Sequence, residues 1–318
     1  MDLSSFAPLL PEFSAAATAI ARDAIVSPLL PFRAATGAEI RLKAENLQPL
    51  GSFKIRAGAN ALASLSGGTT TGVATASAGN FAQGLALAAA RRSIPLTVHA
   101  PANAPAVKLE AIRRLGAHVV THPYEEWWRI MMSRDTGCPD GQFIHPVSEP
   151  AVMLGNGTIS LELARQWERI DAVFIPVGGG GLLSGIALAF RALGLRPRIV
   201  ACEVETAAPL SSSRRAGKAV AIQRQPSFVD GIGGGSVLEE MWPLLSKVVD
   251  EVVVVTLEEI RAAMRMLMRE SHLVCEGAGA ASVAAALRSG PRAGNTVAVI
   301  SGGNIDPAVF AEIINEKE

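Results

Sequence analysis

The feature that most restricts the fold of this chain is its alternation of short β-branched runs with longer amphipathic stretches. Gly72-Val-Ala-Thr-Ala-Ser77 reads as a buried strand, and Asn80 to Arg92 as the helix that follows it. Ile94 to His99 is the next strand, Ala104 to Leu115 the next helix, and Ala117 to Val120 a third strand. The pattern resumes with apolar runs at Ala172–Pro176, Arg198–Glu203, Glu251–Val255 and Thr296–Ile300. Runs bounded by turn residues and separated by helical periodicity predict parallel strands covered by helices on both faces. The strands between Gly72 and Val120 group as one unit and those after Asp171 as another. The expected fold class is therefore α/β, with two open parallel-sheet lobes covered by helices.

A chain of 318 residues with 49% hydrophobic content can bury a core in each lobe. Its 29 basic and 29 acidic residues cancel, which argues against nucleic acid or an anionic membrane surface as a partner. No apolar run reaches the length of a bilayer span, and the Ala-rich stretch after Phe81 ends at Arg91-Arg92. The start, Met1-Asp2-Leu3, has no basic segment leading into an apolar one, so no signal peptide is expected. Cys138, Cys202 and Cys275 are odd in number and widely spaced, which suits reduced thiols in a cytoplasmic protein better than disulfides or zinc.

Glycine-rich segments fall where strands end, the place where open α/β sheets bind ligands. The clearest is Pro176-Val-Gly-Gly-Gly-Gly-Leu-Leu-Ser-Gly185, which leaves a strand and opens a helix. Consecutive glycines let backbone amides approach an anion, and the helix N-terminus adds partial positive charge. A phosphate is the natural guest, although a tight turn alone would need some of these glycines. No Gly-Lys-Ser/Thr closes a P-loop here. A second segment, Glu45-Asn-Leu-Gln-Pro-Leu-Gly-Ser-Phe-Lys-Ile-Arg-Ala-Gly58, sets Lys54 at the start of an Ala-rich helix. Composition alone would make that lysine a solvated surface residue.

These two segments come in register with Ser77-Ala-Gly-Asn-Phe-Ala-Gln-Gly84, Glu276-Gly-Ala-Gly-Ala280 and Ser301-Gly-Gly-Asn-Ile-Asp306. Together they resemble the threonine dehydratase and serine racemase family of fold-type II pyridoxal-phosphate enzymes, whose fold is like the tryptophan synthase β chain. The likeness runs from about Leu29 to Asp306. It implies that Lys54 carries pyridoxal 5'-phosphate as a Schiff base and later removes the substrate α-proton. It further implies that Phe53 packs on the ring and Asn80 bonds its phenolic oxygen. Gly178, Gly179, Gly180, Gly181 and Leu182 would hold the phosphate, and Ser301 would face the ring nitrogen. Ser77, Ala78, Gly79, Asn80 and Phe81 would bind the carboxylate of an amino-acid substrate. The resemblance also implies a homodimer. Residues 1–69 and 149–318 would form the larger cofactor-binding lobe, and residues 70–148 a smaller mobile lobe.

The expected reaction is loss of ammonia from a β-hydroxy-L-amino acid such as threonine, serine or phenylserine. A serine opposite the ring nitrogen cannot stabilise a charged pyridinium, which favours expulsion of a β-hydroxyl over transamination. Where family racemases carry an acid/base serine, this chain has Ala78, which disfavours the alternative of a racemase of the same fold. Phe81 replaces the usual histidine, which suits either neutral drift or a bulkier substrate side chain. Glu203 and Ala207 match the first positions of a family cation site, but Pro209 stands where an aspartate is needed, so no metal is expected. Glu203 is then a solvated or capping residue, and Glu276 a carboxylate suited to the start of a helix. Asp230-Gly-Ile-Gly-Gly-Gly-Ser236 reads as a turn, and Trp127, Trp128, Met264, Met266 and Met268 as core or subunit contacts. A non-catalytic amino-acid-binding protein on the same scaffold is the rival from another class. No effector domain follows the last motif before Glu318, so feedback through one is not expected.

Overall fold

The computed structural model describes residue 3 and residues 5–33, 39–65, 72–138, 141–290 and 294–316. In chain order the strands are β1 Leu29–Arg33, β2 Glu39–Ala44, β3 Val73–Ala76, β4 Leu96–Pro101, β5 His118–His122 and β6 Gln142–Phe143. They continue with β7 Ala172–Pro176, β8 Arg198–Val204, β9 Glu251–Val255 and β10 Thr296–Ile300. They form two sheets, one of six strands ordered β1-β2-β10-β7-β8-β9 and one of four ordered β5-β4-β3-β6. Every pairing is parallel except β1 with β2. The two parallel-sheet lobes expected from the sequence are thus present. The expected lobe division after residue 69 lies outside the described residues.

Both faces of the larger sheet are covered, and this is why its strands read as continuous apolar runs. Along β7, Ala172 and Phe174 face one core with β8 residues Val200 and Cys202 and the helix Gly277–Ser289. Val173 and Ile175 face the other, shared with Ile199, Ala201 and the helices Pro150–Gln166 and Gly181–Ala192. The smaller sheet packs through Val73, Leu96 and Val98 against the helices Lys54–Ala63 and Asn80–Arg91. Among the described residues no helix is long and apolar enough to cross a membrane.

Some boundaries moved. The strand expected from Ile94 begins at Leu96, because the Ile94 amide closes the preceding helix on the Ala89 carbonyl and Pro95 has no N–H to give. β1 and β2 lie within the resemblance and outside the strands expected from the sequence. β2 holds Glu39, Arg41 and Lys43, three charges in six residues, and Lys43 is nevertheless fully buried. Met264 is core and Trp127 packs on Ile130 and Met131, whereas Trp128 and Met268 are exposed.

Candidate active site

A cavity of about 240 Å³ opens at the carboxyl ends of β7 and β10. Its position follows from two chain turns. After β2 the chain passes through Leu50, held at φ 62°, and bridges Ser52 to Gly302 just beyond β10. The Phe53 amide donates to the Ser301 carbonyl at 3.1 Å, so the helix starting at Lys54 is anchored at the strand end. Phe53, Lys54 and Ser301 all line the cavity. The Lys54 amine lies 4.9 Å from the centre of the Phe53 ring and 5.7 Å from that of Phe81. Loss of water in that apolar setting brings its pKa down to about 8, against the opposing pull of the Glu276 carboxylate.

The second turn is the glycine run. Gly180 sits at φ +93°, a left-handed conformation that glycine takes without strain, and Gly181 opens a helix whose first amides have no intrahelical acceptor. A Cβ on Gly179 would lie 2.6 Å from a Val147 methyl, and one on Gly181 2.7 Å from the Val147 carbonyl. Packing as well as ligand approach therefore demands glycine here. Gly178, Gly179, Gly180, Gly181 and Leu182 all face the cavity.

The opposite wall comes from the loop after β3. Ser77, Gly79, Asn80 and Phe81 line the cavity; Ala78 shares the turn but is not part of the lining. The Asn80 carboxamide donates to both oxygens of Glu276, at 3.0 and 3.4 Å, and its oxygen accepts from Asn304 at 2.9 Å.

The lining also includes residues outside the site expected from the sequence, among them Glu276, Asp230 and Val147. Glu276 stands at the N-cap position of the helix Gly277–Ser289, yet its side chain makes no capping bond and turns to Asn80 instead. Burial and the nearby Asp230 push its carboxyl up to about 7, while the Asn80 bond, Lys108 and Lys54 oppose the shift. Asp230, Gly231 and Ile232 bring the front of the glycine-rich turn to the cavity, where Asp230 pairs with Lys108 from the helix Ala106–Arg114. Glu203 is fully buried rather than solvated. It accepts from the backbone amides of Leu210 and Ser211 at 2.7 and 2.8 Å and so caps the helix starting at Pro209. Burial pushes its carboxyl up to about 7 in spite of those two bonds.

The donor set fits pyridoxal phosphate. A desolvated amine can meet its carbonyl, backbone amides at a helix start can meet its phosphate, and the Ser301 side chain can meet a neutral ring nitrogen. Residues 20–302 match the family model described as pyridoxal-phosphate dependent enzyme. The chain is 40% identical over 307 residues to the L-threonine ammonia-lyase of Thermotoga maritima, covering 94% of this chain and 74% of that one. It is 36% identical over 282 residues to the serine racemase of Homo sapiens, with 85% and 83% covered. The solved structure of maize serine racemase superposes with a TM-score of 0.87 at 30% identity, covering 96% of each chain. The chain therefore belongs to the pyridoxal-phosphate-dependent enzymes, in the family of threonine ammonia-lyases and serine racemases.

Proposed function

We propose that the protein is an ammonia-lyase that converts a β-hydroxy-L-amino acid to a 2-keto acid and ammonia. The observation that carries this reading is a desolvated lysine amine facing a loop that has Ala78 where a returning proton donor would be needed. Pyridoxal phosphate, once bound, supplies a carbonyl that takes up amines and a conjugated ring that withdraws electrons from the substrate Cα. The protein supplies the rest. Ser77 and the backbone amides of the loop leading into the helix Asn80–Arg91, that of Asn80 included, bind the substrate carboxylate. Lys54, neutral above about pH 8, takes the α-proton at Nζ. The β-hydroxyl leaves as water, and the enamine released takes up water to give the keto acid and ammonia.

Residues 70–148 act as the smaller lobe that closes over the substrate, and residues 1–69 with 149–318 as the larger; the separate four-stranded sheet supports this division. Free Cys138, Cys202 and Cys275 suit a cytoplasmic setting. The exposed apolar side chains Leu9, Ile25 and Val26 suit a homodimer contact.

The test is 2-keto acid release from L-threonine, L-serine, threo-3-hydroxyaspartate and phenylserine, with Lys54→Ala beside each and the chirality of remaining substrate measured. Keto acid above the control is expected from at least one substrate, with no D-enantiomer accumulating. D-amino acid without keto acid would replace this reading with a racemase.

A further inference from the structure

The carboxamide of Asn80 is held at both ends by groups from the other sheet's part of the chain. Asn304 donates from Nδ2 to the Leu50 carbonyl at 2.7 Å and to Asn80 Oδ1 at 2.9 Å, and Asn80 Nδ2 donates to Glu276. The direction of this chain of bonds follows from its first member. A backbone carbonyl can only accept, so Asn304 must turn its NH₂ group to Leu50. The second N–H of that group meets Asn80, whose oxygen must then face Asn304. Asn80 is left with its NH₂ toward Glu276, which accepts as a carboxylate. One N–H is shared between the two Glu276 oxygens, and the other remains for a group in the cavity that Asn80 lines.

Room for this arrangement is kept at two places in the sequence. A Cβ on Gly51 would stand 2.7 Å from Asn304 Oδ1, and a Cβ on Gly302 would stand 2.5 Å from Glu276 Oε1. Both glycines flank residues of the cavity, Gly51 before Phe53-Lys54 and Gly302 after Ser301. Leu50, the non-glycine residue at φ 62°, offers the carbonyl that starts the chain.

We propose that Asn304 and Glu276 are positioning residues that fix Asn80 as an N–H donor toward the bound cofactor. Neither needs to touch the reacting atoms. Each acts through Asn80, and each reaches across from the segment that carries the larger sheet to the first residue of a helix packed on the smaller one.

The inference rests on the same site as the proposed ammonia-lyase function, so its test reads cofactor binding rather than turnover, and a wrong substrate leaves it untouched. The full chain, stripped of cofactor, is titrated with pyridoxal phosphate across a pH series while the cofactor absorbance is followed. Asn304→Asp, Glu276→Gln and Glu276→Ala are compared with the parent. Asn304→Asp offers only acceptors, so the Asn80 oxygen loses its donor and meets a carboxylate. Turning the NH₂ group toward residue 304 sets that oxygen against Glu276 and the cavity instead, and either way Asn80 no longer presents a fixed N–H. Kd is expected to rise roughly tenfold, as loss of one hydrogen bond implies, with a shift in the pH midpoint of the absorbance change. Glu276→Gln keeps an acceptor for Asn80 and is expected to bind within about threefold of the parent, whereas Glu276→Ala weakens binding about tenfold. Parent-like Kd and midpoint in Asn304→Asp would overturn the proposal. So would equal damage from Glu276→Gln and Glu276→Ala, the comparison that decides the matter if Asn304→Asp does not fold.

Discussion

Replacing Arg56 by alanine tests whether the helix bearing Lys54 is held by a buried charge cluster. Arg56 is 1% exposed and donates to Glu45 at 2.8 and 2.9 Å, to Glu162 at 2.6 and 3.0 Å, to Thr158 and to the Ile25 carbonyl. Lys43, also fully buried, bonds Glu162 at 2.5 Å, so two cations answer two carboxylates with no charge left over. Arg56→Ala leaves one negative charge without a partner in the interior, a change that costs about 3–5 kcal/mol. A domain has only about 5–15 kcal/mol to lose. With a urea slope near 3 kcal/mol/M, the unfolding midpoint should fall by about 1–1.7 M. The assay is urea unfolding followed by far-UV circular dichroism for the parent, Arg56→Ala, Glu162→Gln and the double variant. Because the partners share one network, removing the second should cost less than it does alone, with a coupling of at least about 1 kcal/mol. A loss under about 1 kcal/mol in Arg56→Ala, or strict additivity, would refute the idea that pairing holds this helix.

Gly179→Ala forces a Cβ against a Val147 methyl at 2.6 Å. Overpacking of about 1–3 kcal/mol should weaken pyridoxal phosphate binding by about 5- to 150-fold, and adding Val147→Ala should restore most of it, as read by cofactor titration. The rate at which the cofactor-free protein captures pyridoxal phosphate should rise through about pH 8 and level off above it, because only the neutral Lys54 amine has a lone pair to offer. Glu276 raises that pKa, so Glu276→Gln should move the midpoint of a stopped-flow pH profile to lower pH. An upward shift would show that the carboxylate is not the charge Lys54 feels.

The parts of this protein that were legible in the sequence are those where one physical demand fixes the residue type. β7 and β10 are buried on both faces, so Ala172–Pro176 is apolar throughout and Thr296–Ile300 apolar after its first residue, and the expected bounds of both strands match the structure to the residue. Within the run Gly178–Gly181, Val147 holds Gly179 and Gly181 to glycine, and the positive φ of Gly180 beside Leu245 does the same there. β2 escaped because Lys43 satisfies its charge through Glu162 and Gln166, which are more than a hundred positions away. Glu276 escaped for a related reason. A carboxylate at a helix start has a sufficient local explanation in the macrodipole, and only the approach of Asn80 across 196 positions shows that the side chain serves another purpose.

The glycines of the shared motifs divide in the same way. Those of the phosphate loop read directly as places where a ligand approaches backbone, and the structure sets Gly178–Gly181 on the cavity. Gly84, the last residue of the segment that begins at Ser77, lies away from it. A Cβ there would come within 2.8 Å of the Lys54 carbonyl carbon, and one on Gly58 within 2.8 Å of the Leu85 Cα. The helices Lys54–Ala63 and Asn80–Arg91 thus cross with their backbones almost touching, and this brings Lys54 and Asn80 to one cavity. A larger residue at either crossing point would separate an amine from an amide donor without altering a single group that lines the site. These motifs are specific because they encode two things at once: the groups that meet the cofactor and the clearances that bring those groups together.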